Sequence, residues 1–174
     1  MKNLLFILLV ALPLFIGCKK EEVIPDLFEI PLTNWSLTKD QVLSQETRTL
    51  SENITASQII LLAYPFTDKG DGALKYTSDT YFNDITYGFY NENNTLEVVF
   101  CIYTKTNLKT TEEALQFLNE KYGEYTTKTK SPDYSGFAGK VYKFSAPFGI
   151  VVLEEYSQTS NRVIFTKSQY ASSY

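Results

Sequence analysis

An α+β fold built on one antiparallel sheet with two helices is what this 174-residue sequence predicts, and three observations predict it. Two segments open with a capping box and carry apolar residues at helical spacing. Six others are runs of β-branched and aromatic residues of strand length. The gaps "NENN", "APFG" and "SQTSN" between neighbouring runs are short enough to be hairpin turns, which makes the pairing antiparallel.

The first helix begins in "LTKDQV", where Thr38 can cap the amide of Gln41 while the Gln41 side chain reaches back, and Leu37 can staple onto Val42. Strands follow in "SQIILLAY" (57–64), "DITYGFY" (84–90) and "TLEVVFCIYT" (95–104). The second helix lies in "KTTEEALQFLNEKYG". There Thr110 and Glu113 repeat the box, Ala114, Leu115, Phe117, Leu118 and Tyr122 form an apolar stripe, and Gly123 supplies a left-handed C-cap. "GKVYKFS" (139–145), "GIVVLEEY" (149–156) and "RVIFTK" (162–167) complete the strands. The order is helix, strands, helix, strands, with the two capping threonines 72 positions apart. It reads as two tandem helix-plus-strands units, residues 34–107 and 108–174, each unable to bury its own sheet face and so sharing one core. The whole span of 34–174 has the size of one ordinary domain, able to bury on the order of two-thirds of its unfolded surface without disulfides.

Ahead of that domain, Met1, Lys2 and Asn3 give a short positive start, and residues 4–16 are apolar apart from Pro13. A membrane span needs about 20 apolar residues, and this run stops short of that at Gly17, Cys18 and a charge cluster, so residues 1–17 read as an export signal. Phe15, Ile16, Gly17 and Cys18 resemble the lipobox of bacterial lipoproteins, with Phe15 where Leu is usual. The resemblance implies that Cys18 becomes the first mature residue and carries a thioether-linked diacylglycerol and an amide-linked acyl chain. Two or more chains anchor stably, so the resemblance places the protein on a membrane of the cell envelope, the outer membrane being the expected one. The following "CKKEE" resembles the Lys and acidic cluster that directs some lipoproteins to the cell surface, and it reads equally well as a solvated tether. Residues 18–33 are thus the lipidated cysteine and a tether in which Pro25 and Pro31 favour extended backbone. At ~3.1 Å per residue it reaches up to ~45 Å. Val23, Ile24, Leu27, Phe28 and Ile30 are apolar enough for part of it to pack on the domain as an edge strand.

Removing residues 1–17 takes away Lys2 alone among the charged residues, so 16 basic and 20 acidic residues become 15 and 20, a net charge of −5. An acidic domain without a basic patch is no partner for nucleic acid. The chain has no histidine, which excludes Ser-His-Asp, Cys-His and histidine-bearing zinc sites. With Cys18 acylated, Cys101 has no intrachain cysteine partner, and in the alternating run "LEVVFCIYT" it reads as a small buried apolar residue. Glu154 and Glu155 are adjacent on a strand and point to opposite faces. Asp68 and Asp71 in "TDKGDG" read as a hairpin turn rather than a calcium loop, because Lys69 occupies one of the ligand positions. No catalytic residue, metal or cofactor is expected.

The compositional excess is aromatic, with 13 Tyr, 12 Phe and one Trp. Tyr76, Tyr81, Tyr87 and Tyr90 crowd a segment shared with Asn83, Asn91, Asn93 and Asn94, a composition that suits adaptable protein-binding surfaces and also stacking on sugar rings. "NWSLTKDQV", a Trp leading into a capped helix, and "FLNEKYGEY", a helix ending in Lys-Tyr-Gly before a strand, resemble segments of two known scaffolds. These are the small outer-membrane-assembly lipoprotein domain and the β-lactamase inhibitor protein, which is made of two helix-plus-sheet repeats. The resemblance covers residues 34–168 and implies protein-protein contact with no catalytic residues. The expectation is a lipid-anchored, non-catalytic envelope lipoprotein that captures an envelope protein, with a surface glycan-binding lipoprotein as the alternative and a carboxylate-based hydrolase behind both.

Overall fold

The computed structural model describes residues 26–55, 72–77, 80–90, 92–132 and 136–174. The export signal, the lipobox with Cys18, the run 57–64 and the loop carrying Asp68 and Asp71 lie outside the described residues. Along the chain come α1 (Lys39–Gln45), β1 (Leu50–Ile54), β2 (Gly72–Thr77), β3 (Asp84–Phe89) and β4 (Val98–Thr104), then α2 (Thr111–Tyr122), β5 (Tyr125–Thr129), β6 (Lys140–Ala146), β7 (Gly149–Glu155) and β8 (Ser160–Thr166). A 3-10 turn, Ser168–Ser173, follows. The eight strands among the described residues form one sheet in the order β1-β2-β3-β4-β8-β7-β6-β5, every neighbour antiparallel.

Both capping boxes form as the sequence predicts. Thr38 accepts from the Gln41 amide and Gln41 returns the bond to the Thr38 amide at 2.9 Å. Thr110 and Glu113 do the same at the start of α2. Gly123 ends α2 with a φ of +80°, where an L side chain would be strained. Three strands escape a reading for apolar runs. β1 ("LSENI") and β5 ("YTTKT") are polar because they are the two edges of the sheet, where charged and hydroxyl side chains face water and discourage pairing with other chains. β2 ("GALKYT") is short and punctuated by Gly72, whose φ is +91° and whose position leaves no room for a Cβ against the Ile54 backbone.

Sheet and helices enclose the main core, in which Leu74, Tyr87, Cys101, Tyr103, Leu118, Phe144, Leu153 and Phe165 are fully buried. The opposite face of the sheet carries a second apolar cluster of Ala73, Tyr90, Val98, Phe100, Ile150, Val152 and Ile164. Both faces are therefore lined by buried side chains, which explains why β4, β7 and β8 read as nearly continuous apolar runs. At the centre, β4 and β8 pair over their full length, from Val98 opposite Thr166 to Thr104 opposite Ser160. The indole N–H of Trp35, just ahead of α1, donates to the Phe148 carbonyl at 2.5 Å in the β6–β7 turn, tying the start of the domain to its distant second half.

Residues 26–32 join the helix layer and do not add a strand to the sheet. Phe28 is buried against Phe117 (4.5 Å between ring centres), Phe82 (4.7 Å) and Tyr81 (5.2 Å). Leu27, Ile30 and Leu32 pack on the same core, while Asp26 pairs with Lys121 and Glu29 with Arg48 at the surface. The aromatic hole left between α2 and β3 takes a ring better than a backbone edge, which is why this segment docks by side chain. Its docking shortens the expected tether of residues 18–33, since residues 26–32 are part of the domain. Replacing Phe28 by Ala removes three ring contacts and is expected to cost about 3 to 5 kcal/mol in urea unfolding. A chain beginning at residue 34 should lose at least as much. Unchanged midpoints in both would show that the segment merely lies on the domain.

Candidate interaction face

The four tyrosines singled out from the sequence are interior. Tyr76, Tyr81, Tyr87 and Tyr90 are 2, 4, 0 and 1 % exposed, so none presents a ring to a partner. Strand alternation does send Tyr87 and Tyr90 to opposite faces, but each face has a core to fill. The Tyr87 hydroxyl donates to Glu46, accepts from the Leu32 amide, and its ring meets Tyr76 edge-on. Glu46 also accepts two bonds from Arg48 at 2.9 Å, so this buried carboxylate is compensated by a charge and a phenol. The Tyr81 and Tyr103 hydroxyls both donate to the Thr110 carbonyl, and Asn161 donates to Tyr103 and Thr111 at 2.7 Å, which fastens the start of α2 to the middle of the sheet. Tyr90 packs on the second face against Gly88, where a Cβ would come within 2.3 Å of the Tyr90 ring and 2.8 Å of Val98. Asn83 accepts from the Thr104 amide at 2.7 Å and Asn94 adopts a φ of +52°, so two of the asparagines serve turns.

The side chains best placed to meet a partner lie on the second face, at the β7–β8 end. Register sets Glu154 opposite Arg162, and both point away from the helices. The Arg162 Nε donates to Glu154 at 2.8 Å and Lys130 Nζ donates to the other carboxylate oxygen at 2.6 Å. The Arg162 guanidinium also sits 5.2 Å from the Phe100 ring and 4.8 Å from the Tyr156 ring. A planar cation held by a carboxylate and two rings has little freedom left to lose on binding. Tyr156 is 48 % exposed, so one side of its ring is open to solvent. Glu155, by contrast, serves the helix side, where it accepts from the Tyr142 hydroxyl and the Lys140 amide. The two adjacent glutamates are divided between faces, as their strand positions require.

The segment after β8 lies across this face. Lys143 Nζ donates to the Ala171 carbonyl at 2.8 Å, Lys167 pairs with Glu97 at 3.7 Å, and Tyr170 hydrogen-bonds the same carboxylate. Ala171 and Tyr174 pack on the apolar cluster of Phe100, Val152 and Ile164. Sequence reasoning missed Arg162 and Tyr156. Aligning β7 and β8 across "SQTSN" would have set Glu154 against Arg162 and Tyr156 just beyond, whereas treating the glutamates only as an acid pair hid it. Comparison with family models, curated proteins and solved structures finds no match to this chain.

Burial pushes the phenols of Tyr103, Tyr122 and Tyr142 up to about 12 and raises those of Tyr81, Tyr87 and Tyr90 as well. A phenol whose folded value exceeds its unfolded value of ~10 stabilises the fold fully below pH ~10, and that stability is lost as pH rises through the folded value. Urea midpoints should therefore hold level below pH ~10 and fall steeply toward about 12. Tyrosinate absorbance should grow in the same step as near-UV dichroism is lost. Ionisation of these phenols near 10 in a chain that keeps its dichroism would contradict their burial.

Proposed function

We propose that the chain is a lipid-anchored, non-catalytic lipoprotein of the cell envelope, on the outer membrane, whose domain captures an envelope protein through the face bearing Arg162 and Tyr156. The observation that carries capture is the half-exposed Tyr156 ring stacked on a guanidinium that Glu154 already orients. Tyr and Arg are the residue types that dominate interface energetics, and a preorganised pair gives up little entropy on docking. The anchor rests on the lipobox at residues 15–18, with Cys18 as the acylated residue.

The docked N-terminal segment supports an orientation. Seven residues lie between Cys18 and Asp26, and the eight Cα–Cα steps that join the two span at most about 29 Å when fully extended. Asp26 pairs with Lys121 on α2, so the helix layer is held toward the bilayer and the face with Arg162 is turned away from it, toward partners. We read the domain as two tandem units, residues 34–107 and 108–174. The repeated order of one helix followed by four strands among the described residues supports this, as does a sheet order that runs inward to β4 from one edge and to β8 from the other.

Two measurements in the producing cell test the reading. Metabolic labelling with an acyl-chain analogue should mark the wild type and leave Cys18→Ala unlabelled; a labelled Cys18→Ala would remove the anchor. A benzoylphenylalanine at position 156 should trap one discrete envelope protein on irradiation. The same group at position 108, where the leucine is 81 % exposed but far in sequence from the face, should trap none. Equal adduct patterns from the two positions would remove the capture face.

A further inference from the structure

The segment of residues 168–174 occupies the Arg162 face in a way that marks it as a stand-in. It is a 3-10 turn with no side-chain cap, and no residue in Ser168–Ser173 is buried. Its hold is polar at the margins, through Lys143 to the Ala171 carbonyl and Glu97 to Lys167 and Tyr170. Between these it packs Ala171 and Tyr174 against the second apolar cluster, the one that contains Phe100, Val152 and Ile164. The fit there is imperfect. The Tyr174 hydroxyl is buried within electrostatic reach of Arg162 and Glu154, yet among the described residues it has no hydrogen-bond partner. A phenol stripped of water and given no partner carries an uncompensated desolvation cost, which weakens the closed arrangement while leaving its apolar contacts in place.

We propose that this segment is a displaceable plug, and that the site beneath it takes a partner's polypeptide segment of the same chemistry: a tyrosine seated beside Arg162 and Glu154, flanked by small residues, with a backbone carbonyl on Lys143. The proposal rests on the capture face assigned to Arg162 and Tyr156 and names what that face recognises. The plug itself shows the required features. A small residue fits at Ala171, an aromatic residue packs against the second apolar cluster, and the lysine on β6 supplies a donor to the incoming chain. A partner whose tyrosine hydroxyl reaches the Arg162–Glu154 pair would gain the hydrogen bond that Tyr174 lacks, and that difference favours exchange.

The test uses the purified chain and a labelled peptide with the sequence of residues 167–174, followed by fluorescence anisotropy, so it does not depend on the anchor or on any cellular partner. A chain ending at Lys167 is expected to bind the peptide at least tenfold more tightly than the full chain, and the peptide with Ala in place of the second of its two tyrosines, the one matching Tyr174, at least tenfold more weakly. Tyr174→Ala in the full chain, which keeps the rest of the segment, should raise peptide affinity at least threefold. A shortened chain that keeps its dichroism but binds no better than the full chain overturns the proposal, as does Tyr174→Ala without any gain. Loss of folding in the shortened chain assigns the segment to stability and overturns it too. Dimerisation of the shortened chain without peptide uptake gives the face to a second copy instead. Failure of peptide exchange with position-156 adducts intact would leave the capture face standing and remove only the plug; the reverse outcome would separate the two the other way.

Discussion

The pairing of β4 with β8 is the constraint on which the rest of the molecule depends. Among the described residues four strands precede α2 and four follow it, and this one antiparallel pairing is where the two sets become a single sheet. A four-stranded sheet of either set alone would end in an unpaired edge of Val98, Phe100 and Ile102 or of Ile164 and Thr166, apolar strands unlike the polar β1 and β5 that form the true edges. The same strands carry what is built on each face. Tyr103 on β4 and Asn161 on β8 hold the start of α2 from one side, and Phe100 and Arg162 make the proposed capture face on the other.

Much of the fold was legible because its signals are local. The capping boxes at Thr38 and Thr110 need only four residues each, and the apolar runs of β3, β4, β6, β7 and β8 carry their own strand signature. The edge strands were illegible for the same physical reason that makes them edges: a strand whose side chains all face water, as in "YTTKT", has no apolar alternation to detect. The docking of Phe28 was half visible. Its segment was too apolar to be a solvated tether, but only the arrangement of Phe82, Tyr81 and Phe117 around a hole determines that it enters as a ring rather than as a strand.

The site was less legible than the fold. Tyr76, Tyr81, Tyr87 and Tyr90 share a composition with binding surfaces, and composition does not distinguish a sheet with one wet face from a sheet with both faces covered. In this sheet two of these phenols are spent on internal hydrogen bonds, Tyr87 offsetting part of the cost of burying Glu46, and Tyr81, with Tyr103, closing off the Thr110 carbonyl, while Tyr76 and Tyr90 fill the two cores with their rings. Arg162 and Tyr156 instead gain their geometry from register, which puts Glu154 across from Arg162 and leaves Tyr156 just past the end of β7. A property set by pairing between strands is invisible to a scan along one of them.

Native-state hydrogen exchange measured across a urea series tests most directly the claim that one central pairing holds the molecule together. The amides of β4 and β8 should be the slowest to exchange, and with rising urea the strands on both sides should merge with them into one opening reaction whose free energy equals that of global unfolding. If β1–β3 open in a separate step together with β4 while β5–β8 stay protected, the two sets of strands are independent and the β4–β8 pairing is not what unites them.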